Sequence, residues 1–482
     1  MPKESNQYDV VIIGAGIGGL VCGCYLAKAG MKVLIAEQHF KPGGYCSSFT
    51  RGGFTFDAAA HSFGGFRKDG IVRKVLTDLG IDKRLVIKHH DPSDVIIFPD
   101  GRITFWSDHT KTVSELQVAF PREKKAIEDF FQFLKNPPPK FFAGNRSLTF
   151  DRLLHRYFRD GRLHSVLAFP LFGNGGLPPS LLSAFIGVRI YQEFLLDGGY
   201  YPGFEMQSLP DTLAEQFRDS GGYLRLSCPV EKIAIKDKQV IGVLLSKDEF
   251  VPSRYVVSNC DARRTFFNLL EAGTLEKEFA DSLNSKIPSR SMFILYLGLN
   301  GFFDGLPTPG INTWFMPNYD VEKAYVSAQN GLLDEVGAMV RVMPYHKSML
   351  AFINVPYLDE GIWDKKRKLY AEDFLLRIEK EAVANLKGHV VLQSSATPQT
   401  LERYTGNYLG AAYGWAGFPE QIALHELRKP SFVEGLYLAG HWTTQGLGIP
   451  GVIYSGRITA QTIMRRARVN SSVVFSPSSE TL

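Results

Sequence analysis

The chain has 482 residues, of which 45% are hydrophobic and 21% are charged. This size and balance exclude a small disulfide-stapled fold, a fibrous protein and a disordered chain, and they predict two or three lobes of ~150 residues each. The net charge of +5 comes without a clustered basic stripe, which excludes nucleic acid as an expected partner.

The cysteines and the hydropathy pattern indicate a cytoplasmic setting. Five cysteines occur without CxxC spacing, so neither a zinc site nor a secreted disulfide framework is expected. The N-terminal residues lack the basic and apolar regions of a signal peptide. No stretch reaches the ~20 apolar residues of a transmembrane helix, so we expect any membrane contact to be peripheral.

The first elements of the chain are a β-strand, a glycine-rich turn, a helix and a second β-strand. Residues 8–13 (YDVVII) are apolar and largely β-branched, as a parallel strand buried on both faces requires. A helix is predicted over residues 20–29, and a second strand over residues 32–36 (KVLIA) precedes an acid. This order predicts a Rossmann-like parallel sheet and therefore an α/β fold.

The turn after the first strand carries a GxGxxG motif in which the glycines have separate tasks. Gly14 permits the tight turn, Gly16 lets the backbone approach a pyrophosphate, and Gly19 lets the helix pack close to the strand. Gly18 lies in the same motif, at a helix N-terminus that attracts phosphate. Glu37, ~20 residues on, is placed to accept hydrogen bonds from an adenosine ribose. This strand–turn–helix–strand unit predicts that a dinucleotide binds, but it does not distinguish NAD from FAD.

The segment after the second strand carries a family resemblance. Residues 41–44 (KPGG) are followed by residues 51–57 (RGGFTFD) and by His61. This order resembles the two-dinucleotide-binding-domain flavoproteins of the amine-oxidase-like superfamily, most closely the branch of phytoene desaturases, carotenoid isomerases and retinol saturases. The resemblance implies FAD as the cofactor, with these residues beside it: Gly43, Gly44 and Arg51.

Two later segments resemble the same family. Residues 229–233 (PVEKI) resemble an element whose valine contacts the adenine through its backbone, a role implied here for Val230. Residues 435–441 (GLYLAGH) and 446–451 (GLGIPG) resemble the strand, turn and helix that present main-chain amides to FAD. The implied contacts are Gly440, His441, Gly448, Ile449 and Pro450. Desaturases and isomerases of the family usually carry an aspartate where His441 stands, which weakens assignment to either subfamily.

The resemblance spans nearly the full chain and implies a discontinuous layout. A Rossmann-like FAD-binding domain is expected from residues 1–110, 203–275 and 425–470. A discontinuous α+β substrate domain, facing a membrane, is expected from residues 111–202 and 276–424, and residues 471–482 are expected to form a flexible tail.

Aromatic residues are in excess, with 35 Phe and 20 Tyr in the chain. This excess favours a greasy ligand or a membrane surface. Within the first substrate-domain segment, a stripe with i, i+4 spacing runs through Leu182, Ile186, Ile190 and Phe194. The stripe is interpreted either as ordinary core, or as the lining of a tunnel mouth or a surface that dips into lipid. The second interpretation extends to Phe141, Phe142, Phe169 and Phe172.

The candidate catalytic residues come from the same resemblance. His61 lies on the segment that relatives place beside the flavin ring, and the ordinary pKa of histidine suits a proton relay. Residues 410–415 (GAAYGW) resemble a family segment near the flavin, which makes Tyr413 and Trp415 candidate ring or tunnel contacts. A structural histidine and core packing are the alternatives for these residues. Neither a metal-ligand cluster nor a Ser-His-Asp order stands out, so no metal site is predicted.

The combined pattern predicts an FAD-dependent oxidoreductase acting on a long, hydrophobic polyene of carotenoid or retinoid type. Desaturation, saturation and cis–trans isomerisation all require FAD and an apolar slot, so the three reactions stay open, as does the electron partner, a quinone or oxygen. One alternative is a flavin amine oxidase acting on a soluble amine, and an amino-acid substrate would need a buried arginine such as Arg189 or Arg341. The other is a non-catalytic lipid or prenyl carrier, which the intact glycine motif argues against.

Overall fold

The computed structural model describes residues 7–144, 147–271, 273–358, 361–422, 425–430, 432–443 and 448–468. The strands in chain order are β1 (Tyr8–Ile13), β2 (Val33–Ala36), β3 (Ser48–Arg51), β4 (Phe54–Asp57), β5 (Ile87–His89), β6 (Asp94–Phe98), β7 (Gly101–Phe105), β8 (Tyr200–Pro202), β9 (Tyr223–Arg225), β10 (Val230–Lys236), β11 (Gln239–Leu245), β12 (Glu249–Ser258), β13 (Ser291–Leu299), β14 (Asn312–Phe315), β15 (Ala338–Val342), β16 (Ser348–Val355), β17 (Val390–Ala396) and β18 (Leu436–Leu438). The α-helices are α1 (Ile17–Lys28), α2 (Ile71–Leu79), α3 (His109–Ala119), α4 (Lys124–Lys135), α5 (Pro139–Gly144), α6 (Phe150–Leu154), α7 (Gly161–Gly175), α8 (Ala184–Ile190), α9 (Ser208–Asp219), α10 (Lys277–Ser285), α11 (Val321–Gln329), α12 (Ile362–Glu381), α13 (Leu386–His389), α14 (Pro398–Thr405), α15 (His425–Arg428) and α16 (Gly448–Ala467).

The first sheet contains the N-terminal strand at its centre. Its order is β10-β11-β12-β1-β2-β9, with β18 paired to β12. β1 runs parallel to both β12 and β2. Val10 and Ile12 pack in one core cluster, whereas Val11 and Ile13 pack in another. Because both faces of β1 are covered, its sequence is apolar at successive positions rather than alternating, and the predicted parallel sheet is confirmed.

The second sheet is mixed and has the order β17-β13-β16-β15-β14-β6-β7. Its strands are antiparallel except for the parallel pair of β14 and β6. Helix α12 covers one face, where Phe293 stacks on Trp363. The opposite face meets the β3–β4 hairpin, because Ser348 Oγ donates to Thr55 O at 2.8 Å and Tyr296 packs edge-on against Phe49.

The division of the chain into domains stays a prediction. Strands β6 and β7 lie within the segment 1–110 that was expected in the FAD-binding domain, yet they hydrogen-bond in the second sheet. One of the two strands that pair with β6 is β14, which lies more than 200 residues further along the chain. No local sequence pattern signals the pairing of β6 with β14. The predicted tail, residues 471–482, lies outside the described residues.

The stripe of Leu182, Ile186, Ile190 and Phe194 lies in and around α8 and belongs to the core. Leu182, Ile186 and Ile190 are at most 1% exposed, and Phe194 is half-buried. Phe169 and Phe172 of α7 are each 2% exposed. Side chains this deeply buried do not face solvent or lipid in this structure, which favours ordinary core packing, and the lining of a tunnel mouth stays a prediction. No helix in the described part of the chain is long and apolar enough to cross a membrane.

Candidate cofactor and active site

The glycine turn between β1 and α1 brings strand and helix into close contact. Gly14 has φ +96°, and a Cβ atom built on Gly19 would lie 2.2 Å from Gly14 O. A Cβ on Gly16 would lie 2.9 Å from Asn259 Nδ2, and one on Gly18 would lie 2.7 Å from Asn259 Oδ1. A side chain at Gly19 would therefore push the helix away from the strand, and one at Gly16 or Gly18 would displace the Asn259 side chain.

Helix α1 presents its N-terminus to the turn without a side-chain cap. The helix begins at Ile17, three residues before the predicted start, because the last glycines of the motif adopt helical conformations. The N-cap residue is Gly16, no side chain bonds to the first turn, and no acid lies there. The free N–H groups and the helix dipole suit a phosphate.

Glu37 follows β2 and is held in place by two backbone amides. Ala15 N donates to Glu37 Oε2 at 2.7 Å, and His39 N donates to Glu37 Oε1 at 2.8 Å. Each carboxylate oxygen keeps a second lone pair for another donor. The side chain is therefore fixed beside the glycine turn in an orientation that can accept ribose hydroxyls.

The Gly43–Gly44 pair crosses over the glycine turn. Gly43 has φ +125° and donates its N–H to Ala15 O at 2.9 Å, and Gly44 has φ +58°. A Cβ on Gly43 would lie 3.0 Å from Pro210 Cγ. Only glycine fits here, for both conformational and steric reasons.

The C-terminal segment returns to the same place. Gly440 follows β18 with φ +90° and donates to Ser455 Oγ at 3.0 Å. A Cβ on Gly440 would lie 2.5 Å from Asn259 Oδ1. Gly448 begins α16, and Ile449 and Pro450 are buried behind it. Residues 444–447, which include the first glycine of the predicted GLGIPG motif, lie outside the described residues.

A cavity of about 880 Å³ connects these features. Its lining includes Glu37, Val230 and Leu269 together with the glycine turn and Gly440. Ala58 and Tyr296, at the contact between the β3–β4 hairpin and the second sheet, also border it. A cavity of this size with a fixed carboxylate, an uncapped helix N-terminus and glycine walls fits the dinucleotide FAD.

Arg51 and Asn259 belong to this cavity for different reasons. Arg51 lies at the exposed rim, where its guanidinium donates to Ser394 Oγ. Asn259, directly after β12, lies against Gly14, Gly16 and Gly18 and was not predicted as a site residue. Its position at the carboxyl end of a parallel strand is a signal that could have identified it.

His61 lies outside the lining of this cavity. Its ring packs near Phe352, and Nδ1 is 3.2 Å from Ala59 O. Burial and, to a smaller extent, the positive charge of Arg341 together lower the pKa of His61 to about 3. The imidazole is therefore neutral near neutral pH, with its proton on the nitrogen that faces the carbonyl. This environment gives no support to a proton relay at neutral pH, and a catalytic role for His61 stays a prediction.

Tyr413 and Trp415 lie on one loop but have different surroundings. Tyr413 is half-buried, its N–H donates to Ser289 Oγ at 2.9 Å, and burial raises the pKa of its hydroxyl. Trp415 is fully buried, packs edge-on against Trp442 and donates Nε1–H to Trp442 O at 3.0 Å. These contacts favour core packing for Trp415, and both predicted cofactor contacts stay predictions.

His441 borders the cavity and is tied to Asn407. Its Nε2 is 3.3 Å from Asn407 Oδ1, which also accepts from Trp442 Nε1 at 2.9 Å. Burial lowers the pKa of His441 to about 4. A neutral imidazole that donates to Asn407 fixes the backbone after Gly440, which suits a supporting role.

The two arginines considered for an amino-acid substrate do not border the cavity. Arg341 is fully buried on β15, and its Nη1 donates to Asn312 Oδ1 at 2.7 Å. Its charge lowers the pKa of Asp57 and of Asp94, although burial raises both pKa values more strongly. Arg189 lies over the ring of Phe142 at 4.6 Å. Both arginines therefore have structural partners, and neither is placed to bind a substrate carboxylate in this cavity.

The chain is similar to curated proteins along almost its whole length. It is 27% identical to a neurosporene-forming phytoene desaturase of Rhodobacter capsulatus, over 94% of this chain and 93% of the relative. It is 27% identical to prolycopene isomerase 2 of an Oncidium hybrid cultivar, over 96% of this chain and 84% of the relative. It is 23% identical to the all-trans-retinol 13,14-reductase of Danio rerio, over 91% of this chain and 83% of the relative.

Solved structures share the fold. A triple mutant of putrescine oxidase is similar with a TM-score of 0.69 at 16% identity, covering 95% of this chain and 99% of that chain. A fatty acid isomerase from P. acnes that produces CLA is similar with a TM-score of 0.61 at 15% identity, covering 96% and 99%. The sequence model of the flavin containing amine oxidoreductase family matches residues 17–312. The chain therefore belongs to the flavin-containing amine oxidoreductase family and is an FAD-dependent enzyme.

Proposed function

We propose that this enzyme acts on a long, hydrophobic polyene of carotenoid or retinoid type, by desaturation, saturation or cis–trans isomerisation. The observation that carries the proposal is the set of relatives. Proteins named for phytoene, prolycopene and retinol each match more than nine-tenths of this chain. The rich aromatic content of the chain agrees with such a substrate, because a polyene offers few hydrogen-bonding groups.

When bound, FAD would accept a hydride in desaturation or donate one in saturation, and reduced FAD would serve isomerisation, which has no net redox change. The residues of this chain bind the dinucleotide and exclude water around it. Tyr45, on the cavity wall, donates to Ala411 O at 3.0 Å and so ties the Gly43–Gly44 loop to the loop before Tyr413. This tie closes one side of the cavity. The electron partner would be a quinone or oxygen for a desaturase and a reductant for a saturase.

The experiment that tests the substrate class uses purified holoenzyme under anaerobic conditions. Carotenoids, retinoids and soluble amines are supplied separately, in liposomes and in detergent, while the flavin spectrum and the product isomers are followed. We expect one polyene to change the flavin redox state or to be isomerised with reduced flavin, and amines to do neither. Flavin reduction by an amine, with no polyene converted, would contradict the proposal and favour the amine-oxidase alternative.

We further propose that the exposed rim of the cavity contacts a membrane surface that holds the substrate. Phe40 and Tyr404 are 69% and 56% exposed on this rim. Lys41, Arg51 and Arg403 border the same opening. Exposed aromatic rings beside basic side chains suit the interface of a bilayer with anionic headgroups.

Flotation with liposomes that contain anionic lipid tests this contact. The Phe40→Ser, Tyr404→Ser double variant should lose most of its liposome binding, because the apolar part of the rim is removed, while FAD stays bound. Phe302→Ser is the matched control, since Phe302 is 57% exposed and does not border the cavity. Equal flotation of the double variant, the control and the wild type would contradict a membrane contact at this rim.

A further inference from the structure

A second cluster of potential ligand groups lies away from the cofactor cavity, where α6 meets α7. Asp151 is in α6, His155 follows that helix, and His164 is in the first turn of α7. Each residue offers one ligand atom, and these three atoms all lie within 4.8 Å of one another. The histidine rings meet edge-on, with centroids 4.4 Å apart.

The backbone sets the tautomers of the two imidazoles. His155 Nδ1 is 2.9 Å from Asp151 O, and His164 Nε2 is 3.1 Å from Phe158 O. A carbonyl oxygen only accepts, so each of these nitrogens carries the proton and the other nitrogen of each ring keeps its lone pair. In metal sites, a carbonyl oxygen commonly accepts from the N–H of a histidine whose other ring nitrogen binds the metal.

The Asp151 carboxylate faces His155, with Oδ1 3.3 Å from Nδ1, and among the described residues it is not paired with an arginine or a lysine. Arg162 is paired with Asp100 at 3.1 Å, and Lys323 is paired with Glu335 at 2.6 Å. These are the cations of the shallow surface depression that Asp151 and His164 border. His155 is exposed and the other two residues are half-buried, so an ion can reach the cluster from solvent.

We propose that Asp151, His155 and His164 form a binding site for a divalent transition-metal ion such as Zn²⁺. Two imidazoles and one carboxylate suit zinc and its neighbours rather than magnesium or calcium, which prefer oxygen ligands. Zinc bonds of about 2.0–2.2 Å place neighbouring ligand atoms roughly 3.3–3.5 Å apart. Small side-chain rotations therefore close the set, and solvent completes the coordination.

The ion ties the end of α6 to the start of α7. Helix α7 packs against the second sheet, because Asn354 Nδ2 donates to Phe172 O at 3.1 Å and Trp314 lies against Gly173. Metal binding therefore stabilises the helical segment on that sheet without contacting FAD. The site is independent of the proposed substrate.

Zinc binding by tag-free holoenzyme, freed of metal with a chelator, tests the site. Calorimetric titration with zinc sulfate should give one ion per chain, and the melting temperature should rise with zinc concentration. His155→Gln and His164→Gln should each weaken binding by about 10-fold or more. Asp151→Asn, which keeps the shape of the side chain, should weaken it as well, and all three variants should keep the flavin spectrum of the wild type.

His346→Gln is the matched control, because His346 is a half-buried histidine that also contacts one backbone carbonyl, Phe204 O at 3.1 Å. It should bind zinc as the wild type does. Anomalous scattering from zinc-soaked crystals should locate the ion on the three proposed ligands. Absence of stoichiometric binding by the wild type, unchanged affinity in the folded variants, or an ion located elsewhere would each overturn the proposal.

Discussion

At the scale of single residues, the contacts of Glu37 lead to a prediction about how tightly FAD binds. Both of its oxygens already accept from backbone amides of the glycine turn and of His39. Glu37→Arg should weaken FAD binding by about 10–100-fold, because it removes a charged acceptor and places a long cation in the cavity. The ratio of flavin to protein absorbance after dialysis measures this loss. Glu278→Arg, at an exposed position on α10, is the control. Retained flavin in the Glu37 variant would show that this carboxylate does not hold the cofactor.

His61 and His441 make a pH prediction at the same scale. Burial lowers their pKa values to about 3 and about 4, below the 6.5 of an unperturbed histidine. Below about pH 6.5 these two imidazoles bind protons in the unfolded chain but stay neutral in the folded chain. Their contribution to the free energy of unfolding is therefore complete above about pH 6.5 and is lost as the pH falls toward 3. Between about pH 6.5 and pH 5, His61 alone should account for about 2 kcal/mol of lost unfolding free energy.

Guanidinium unfolding at these two pH values measures the loss. The His61→Asn variant should lose less stability than the wild type on acidification, because asparagine does not titrate. The same loss in both proteins would show that His61 is solvated or paired in solution. The sequence assigned His61 the ordinary histidine pKa, because neither its burial nor the charge of Arg341 could be read from its neighbours in the chain.

At the scale of elements, the contact between β1 and α1 depends on one glycine. A Cβ on Gly19 would lie 2.2 Å from Gly14 O, so the Gly19→Val helix cannot pack on its strand. We expect at least ~1–3 kcal/mol of destabilisation from the overpacking, together with loss of FAD. Thermal unfolding followed by flavin fluorescence reports both effects.

Gly161→Ala separates this clash from a general effect of replacing glycine in a helix. Gly161 is the first residue of α7, and a Cβ there would meet no atom within 4 Å. The alanine variant should keep FAD and be as stable as the wild type or slightly more stable. A Gly19→Val protein that behaves like this control would contradict the tight strand–helix contact.

At the scale of the whole molecule, two sheets meet at the cofactor cavity. The first sheet supplies the glycine turn, Glu37 and Asn259, and the second supplies Tyr296. Helices α6 to α8 carry part of the aromatic core and, in our proposal, a metal site at Asp151, His155 and His164.

The sequence by itself determined the nucleotide-binding unit. The run of β1, the spacing of Gly14, Gly16 and Gly19, and the acid at Glu37 are local properties, since backbone conformation and burial on both faces restrict the residue type at each position. The order of these elements was therefore predictable, and the start of α1 differed by three residues because the motif itself is partly helical.

Only the tertiary structure decided the features that depend on distant parts of the chain. Pairing of β6 with β14, contact of Asn259 with the glycine turn, and the low pKa of His61 beside Arg341 each join residues that are far apart in sequence. The cluster of Asp151 with His155 and His164 also needed the fold, because the two histidines lie nine residues apart on either side of a turn. Such contacts form only when packing brings separate elements together, and hydrophobic periodicity contains no information about which elements those are.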